Sequence, residues 1–516
     1  MSERPTRWKM SLLCVMTTLL AVSCQSTGDS ATPDTQSVDA VGPDITNPDT
    51  NSPDTNSPDA AIEDAVNTDA AQGIDVQAGD TGSSDAGAAD TNTGVADTNT
   101  GVADTNTGAA DTSNGADTDG YDPAKPPTPF PKMSDEPAAA CAKALKTPDY
   151  FQFLDNLCDE KVDPAFASRS LACPVVDDSA VTPLKGGGQA SYVPYDQPQP
   201  VDTAALKGLL PAGTSMSVIL IKRVKGVPHL RVLGTADHAK PMQPWSTTKW
   251  MAAANAAVTM RVQSGYKVGL TAKAKGYDVG DMVSSVHTYD YSPYSSNGLG
   301  RWFHDIGGRK QANDMIHEKW LKRPASETFG GNYGAKAPPL GYSFVEASGD
   351  KLTVSPDPSS GPANNLSMYT LTLALERVVL HREQAKTRMP GLQWKDIEVL
   401  LYGAKGSKKY GPFGGMSADT AIYAQAGVDI QWVAKRSQGK WRVHSKLGLG
   451  TKGQFIWVGY ACLPWLDSAG QPIPGWGREM VIAAHLGQGG KNWRERDRLL
   501  ATGIRKVMLR VLDGRL

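Results

Sequence analysis

The chain has 516 residues, with Lys+Arg 52 against Asp+Glu 54 and a formal net charge of −2 at pH 7. That balance conceals a split: about twenty of the carboxylates lie between Gln25 and Ala124, where there is no lysine or arginine, so the remainder is basic by roughly sixteen charges. The surplus cations are dispersed rather than gathered in a stripe, which excludes a nucleic-acid-binding protein and leaves anionic surroundings, such as an envelope polymer or lipid headgroups, or plain solubility.

Residues 1–24 read as an export signal: Arg4, Arg7 and Lys9 precede an apolar stretch from Met10 to Val22, too short to span a bilayer. Its end, Ala21-Val22-Ser23-Cys24, resembles a bacterial lipoprotein signal. That resemblance implies cleavage before Cys24 and lipidation of its sulfur; ordinary secretory cleavage is the alternative. Ser26 stands where such lipoproteins carry an aspartate for inner-membrane retention, so the expected location is the cell envelope, at the outer membrane. Residues 25–135 are expected to be a disordered tether. Aspartate recurs every fifth residue from Asp29 to Asp69, ADTNTGV units repeat around Asp90, Asp97 and Asp104, and nothing there could form a core. The Asp90–Gly94 unit is similar to half a calcium loop, but the closing glutamate is missing. Prolines between Pro123 and Pro131 stiffen the exit.

Residues 136–204 are expected to form a helical preface containing Cys141, Cys158 and Cys173. With Cys462 these can make one or two disulfides in an oxidising compartment, and spacing leaves all three pairings open. Residues 205–516 are long enough for a large domain. Met216–Lys222 and Leu230–Leu233 read as paired strands about a turn at Gly226-Val227-Pro228, and Ser246–Ser264 as an alanine-rich helix ending before Gly265. Asn364, Asn365 and Ser367 are placed to cap a helix within Leu366–His381. Trp441–Lys446, Gln454–Cys462 and Glu479–His485 read as three more strands, and Asn492–Leu512 as a final helix. Strands from both ends of one domain imply an α/β (α+β) fold, a mostly antiparallel five-stranded sheet flanked by helices with a helical subdomain.

Ser246-x-x-Lys249 heads the first helix. The spacing alone is uninformative, since it recurs at Ser264/Lys267, Ser348/Lys351 and Ser437/Lys440. Only this copy follows two strands and opens an apolar helix, where residues three apart share a face and an ammonium among Trp245, Trp250 and Met251 is partly desolvated. Ser295-Ser296-Asn297 precedes a helical run, and Lys446-Leu447-Gly448 ends a strand. The order Ser-x-x-Lys, Ser-x-Asn, Lys-x-Gly resembles the serine β-lactamase and penicillin-binding protein superfamily, most of all its class A members, over residues 205–516.

The resemblance implies that Ser246 attacks a β-lactam or D-alanyl peptide-like carbonyl, that Lys249 accepts its proton and that Ser295 relays a proton to the leaving nitrogen. It also implies that Asn297 holds Lys249 and the substrate amide. Lys446 would attract the substrate carboxylate, and Gly448 and Leu449 would border the substrate, with the amides of Ser246 and Leu449 forming an oxyanion hole. Two departures stand against turnover. Leu447 replaces a hydroxyl residue, and Arg323–Asn365 has no Glu-x-x-x-Asn to supply a deacylating base; Glu327 and Glu346 lack the right follower. Tyr423–Gly427 is an alternative third motif, with Gln425 in place of the lysine. A non-catalytic binding module that keeps the fold is the competing reading. The histidines form no ligand cluster, His444 reads as an ordinary edge residue, and no phosphate loop is present, so neither metal nor cofactor is expected. A monomer is expected.

Overall fold

The computed structural model describes residues 169, 173–175, 179–288, 294–361, 363–411, 414–418, 436–450, 453–489 and 493–516. Cys24, the acidic tether, Cys141, Cys158 and the alternative motif Tyr423–Gly427 lie outside them.

Four short strands come first: β1 (Val181–Pro183), β2 (Gln189–Ser191), β3 (Val193–Pro194) and β4 (Val201–Asp202). This stretch was expected to belong to a helical preface. Its sequence explains the difference, because Pro183, Gly186-Gly187-Gly188, Pro194, Pro198 and Pro200 break any helical run, while β-branched and aromatic residues between them suit extended backbone. β1 and β2 form a hairpin of their own. β3 and β4 pair with the later strand Val227–Gly234 and so extend the main sheet.

The main sheet is built on five long strands in the order β11-β12-β13-β5-β6: β5 (Thr214–Val224), β6 (Val227–Gly234), β11 (Arg442–Gly450), β12 (Gln454–Leu463) and β13 (Arg478–Leu486). All these pairings are antiparallel. β5 and β6 turn at Lys225-Gly226, both with positive φ, as a tight hairpin requires. A smaller sheet joins β7 (Lys273–Ala274), β8 (Tyr277–Asp278), β9 (Ser343–Val345) and β10 (Lys351–Thr353). The helices are α1 (Lys249–Gln263), α2 (Val279–Thr288), α3 (Ser296–Gly307), α4 (Arg309–Asp314), α5 (Met368–Val379), α6 (Trp394–Tyr402) and α7 (Trp493–Leu512).

Apolar side chains bury both faces of the main sheet. One face packs with α1, α2, α3, α5 and α6, the other with α7. The central strands are therefore apolar almost continuously, as two-sided burial demands. α1 is buried at every position from Lys249 to Arg261, and its alanines let neighbouring helices come close on all sides. Cys173 and Cys462 form a disulfide with Cα atoms 5.7 Å apart, tying the chain ahead of β1 to β12.

The far end of α1 is pinned by charge. Arg261 donates from Nε and Nη2 to the Asp396 carboxylate at 2.8 and 2.7 Å, with both side chains fully buried. Asp396 also accepts from the Leu270 amide at 3.0 Å. Removing one partner of such a pair strands the other charge away from water, so Asp396→Ala is expected to cost about 3–5 kcal/mol in urea unfolding. The double replacement Arg261→Met with Asp396→Leu is expected to cost clearly less, because neither member of the fully buried pair is left without the other; Glu346, 3.8 Å from Arg261, keeps its bonds from the Gly269 amide and Thr271. Equal losses in the two would contradict the pairing.

Candidate active site

Ser246 lies in a 3-10 turn, Trp245–Thr248, that runs into α1 at Lys249, whose amide donates to the Ser246 carbonyl. The sequence reading placed the helix start at Ser246; the α-helical bonds begin three residues later. Trp245 has φ 49°, a left-handed conformation disfavoured for a bulky residue, immediately before the serine. Ser246 is half-buried.

Strand β11 passes directly beside this turn. A Cβ on Gly448 would stand 2.7 Å from the Pro244 carbonyl oxygen and 3.1 Å from the Ser246 amide nitrogen, so a residue without a side chain is what lets strand and turn meet. Leu449, the other residue assigned to the substrate rim, is half-buried and packs with the α7-side core.

Lys249 is 1 % exposed. Its Nζ is 3.1 Å from Ser296 Oγ and also hydrogen-bonds Asn297 Oδ1. The Ser296 hydroxyl in turn donates to the Val286 carbonyl at 2.8 Å, so toward Lys249 it can only accept. Two acceptors therefore take two N–H bonds of the amine. Burial, reinforced by the nearby Lys446 charge, drives the Lys249 pKa well below the ordinary lysine value. A neutral amine has two N–H donors and one lone pair, and this arrangement uses the donors and leaves the lone pair free. Gly300 makes room for the stem, since a Cβ there would lie 3.0 Å from Lys249 Cγ. The Tyr333 ring centroid stands 5.7 Å from Nζ, and its hydroxyl lies 3.1 Å from Thr248 Oγ1.

Of the residues singled out in the sequence, Asn297 is therefore brought onto Lys249. Ser295 is the N-cap of α3, its Oγ accepting from the Gly298 amide at 3.1 Å. One lone pair is thereby committed, and the hydroxyl proton remains to be donated. The hydroxyl on Lys249 is that of Ser296, which sequence spacing did not single out. Lys446 is 1 % exposed, its Nζ donating to the Leu447 carbonyl at 3.0 Å and its charge acting on Lys249.

Leu447 is placed by strand alternation. It packs in the core beneath α7, opposite Trp457, so it takes the face of β11 away from Lys446. His444, expected as an edge residue, is on an edge strand but fully buried, stacked on Tyr460 and edge-on to Tyr402. Glu327 is buried with Arg323 and accepts from the Ser367 amide and hydroxyl, while Glu346 accepts from the Gly269 amide and Thr271. Both carboxylates are thus engaged in local structure. Ser367 caps α5 as expected. Asn364 and Asn365 do not. Asn364 donates to Thr248 Oγ1 and accepts from the Gly331 amide, tying the 3-10 turn to the segment that holds Tyr333, and Asn365 donates to the Ser326 carbonyl. No sequence signal distinguishes a long-range amide contact from a cap.

No protein-family model matches the chain, and no curated protein does. Among solved structures it is similar to a class A β-lactamase from Mycobacterium abscessus, with TM-score 0.34 and 14% identity over 59% of this chain and 96% of that one. It is also similar to a β-lactamase from Burkholderia ambifaria, with TM-score 0.33 and 14% identity over 59% and 97%. An ancestral class A β-lactamase gives TM-score 0.32 and 16% identity over 58% and 94%. Nothing about activity follows from TM-scores of this size.

The buried imidazoles make stability depend on pH. Burial holds His444 and His287 at about 3, against about 6.5 when unfolded. Between those values the unfolded chain binds more protons, so their contribution is present above pH 6.5 and is lost as pH falls toward 3, by at most about 1.4 kcal/mol per unit for each. Glu376, raised to about 7 by burial, works in the opposite sense, so a difference between variants isolates the imidazole. The unfolding free energy of wild type is expected to drop more than that of His444→Phe between pH 7 and pH 5. Identical pH dependence in the two would contradict the burial of a neutral ring.

Proposed function

We propose that the folded part is a serine acyl-transferring hydrolase of the β-lactamase and penicillin-binding type, acting on a β-lactam or a D-alanyl peptide-like amide or ester. The observation that carries this reading is the buried Lys249 amine, its two N–H bonds taken by Ser296 and Asn297, on the residue three after Ser246. Its lone pair is the acceptor for the Ser246 proton. The serine oxygen then forms a bond to the carbonyl carbon, and the tetrahedral oxyanion is met by the Ser246 and Leu449 amides. Collapse breaks the C–N bond, and the leaving nitrogen takes its proton from Ser295, resupplied from Lys249. Lys446 is the cation for the substrate carboxylate, and Asn297 holds both Lys249 and the substrate amide. Cys24 and the acidic tether would carry this domain at the cell envelope, where such substrates occur.

A second reading is favoured by one specific observation. Glu327 and Glu346 are engaged elsewhere, and neither offers a free carboxylate to activate water. An acyl-enzyme formed on Ser246 would then persist, and the protein would act as a slow acylating binder rather than an efficient lactamase. A non-catalytic binding module is the limiting case.

A fluorescent penicillin distinguishes these outcomes. Covalent labelling stable to denaturation is expected in wild type, with loss of at least a hundredfold in Ser246→Ala and in Lys249→Met. Slow or absent nitrocefin turnover is expected alongside it. Absence of labelling in a folded wild-type protein would overturn the hydrolase reading in favour of the binding module, and rapid nitrocefin turnover would require a water-activating base elsewhere.

A further inference from the structure

Thr248 is fully buried in the turn that presents Ser246, and its hydroxyl has three polar neighbours: the Trp245 carbonyl at 3.2 Å, the Tyr333 hydroxyl at 3.1 Å and Asn364 Nδ2 at 3.2 Å. A threonine oxygen has one proton to donate and two lone pairs that accept. The carbonyl can only accept, so the Thr248 proton goes to Trp245. Asn364 Oδ1 accepts from the Gly331 amide at 2.9 Å, which turns Nδ2 toward Thr248 as a donor. One lone pair remains, so the Tyr333 O–H is the donor in its contact with Thr248. Burial raises the Tyr333 phenol above its ordinary pKa, and the proton stays on it.

That hydroxyl leads to the residue before the nucleophile. Trp245 has φ 49°, a conformation that a bulky residue keeps only where its surroundings hold it. On one side the turn is held by β11: a Cβ on Gly448 would stand 2.7 Å from the Pro244 carbonyl oxygen, and one on Gly450 would overlap the Trp245 indole. On the other side stands the Thr248 bond to the Trp245 carbonyl, backed by the stretch 328–366. That stretch has anchors of its own. Leu366 and Met242 exchange backbone bonds at 2.9 and 3.2 Å, and Thr328 and Asn365 do so at 2.7 and 2.8 Å. The Tyr333 ring lies against α3, where a Cβ on Gly300 would stand 3.2 Å from its Cδ2.

We propose that Tyr333 is a positioning residue for Ser246: its hydroxyl donates to Thr248, whose own proton is thereby aimed at the Trp245 carbonyl and holds the turn that presents the nucleophile. With both lone pairs of Thr248 taken by Tyr333 and Asn364, the hydroxyl rotor has one direction left to it. Tyr333 touches none of the reacting atoms and moves no proton in the reaction. Without its donor the Thr248 rotor turns, the Trp245 carbonyl loses its bond part of the time, and Ser246 spends less time where attack on a carbonyl is possible. The role in catalysis rests on the acylation reading above; the hydrogen-bond network does not.

Two measurements on the full-length protein test it. With 13Cζ-labelled tyrosine, the Tyr333 resonance, assigned by its loss in Tyr333→Phe, is expected to shift in Thr248→Val and to keep its place in Thr248→Ser, which retains the hydroxyl. A resonance indifferent to Thr248→Val overturns the proposal whether or not the protein has activity. With the fluorescent penicillin, Tyr333→Phe is expected to lower the maximal labelling rate about tenfold, while the half-saturating concentration and the acid limb of the pH profile stay where they are. Thr248→Ser is expected to label within about threefold of wild type. Thr248→Val is expected to be at least as slow as Tyr333→Phe, and adding Tyr333→Phe to it is expected to slow it by less than about twofold, because the tyrosine acts only through the threonine. A wild-type rate in Tyr333→Phe, losses that multiply in the double variant, or a shifted half-saturation or acid limb would overturn the positioning role. A wild type that does not label removes the acylation reading and the positioning role together, and the tyrosine resonance still decides the network.

Discussion

The structure is organised around one amine taken out of water. Lys249 carries a group that prefers to be charged, yet it is enclosed by α1, α3 and Tyr333 and stands in the field of a second buried lysine. Burying an ammonium beside another cation is unfavourable, and the lower-energy state leaves the amine neutral with its two N–H bonds satisfied. Everything nearby serves that state. The alanines of α1 and Gly300 of α3 bring two helices close enough to exclude water, and Ser296 and Asn297 accept what a neutral amine can donate.

The same economy explains residues that contribute no chemistry. Gly448 permits the edge strand to touch the turn that presents Ser246, and Asn364 ties that turn to the segment holding Tyr333. Arg261 and Asp396 hold the opposite end of α1 through a pair with no access to solvent. α1 is therefore fixed at both ends, and a serine on a strained turn keeps its place relative to the lysine without needing a direct bond to it.

Much of this was legible along the chain. The five long strands and the helices beginning near Ser246 and Trp493 announced themselves by apolar periodicity, because each buries a face or more against a neighbour. The ends were less legible. β5 and β6 run beyond the apolar cores Met216–Lys222 and Leu230–Leu233, since backbone pairing continues where side chains turn polar. Residues 181–202 hid their strands because each is only two or three residues long; β1 and β2 have only each other as partners, and β3 and β4 gain theirs from β6, farther along the chain. The pairing of Cys173 with Cys462 was one of three that spacing allowed.

The site was legible by residue type and only partly by position. Lys249 and Asn297 meet, but which of two adjacent serines reaches the amine depends on where α3 begins, and Ser295 uses an oxygen lone pair in capping it. Leu447 looked like a lost hydroxyl and is instead an apolar anchor on the far face of its strand. The account's central claim is that Lys249 is neutral at working pH. Titration of its 13Cε resonance in 13C-lysine-labelled protein, assigned with Lys249→Arg, tests that most directly: the account predicts a midpoint well below the ordinary 10.5 and an uncharged amine at neutral pH, and a midpoint at the ordinary value would contradict it.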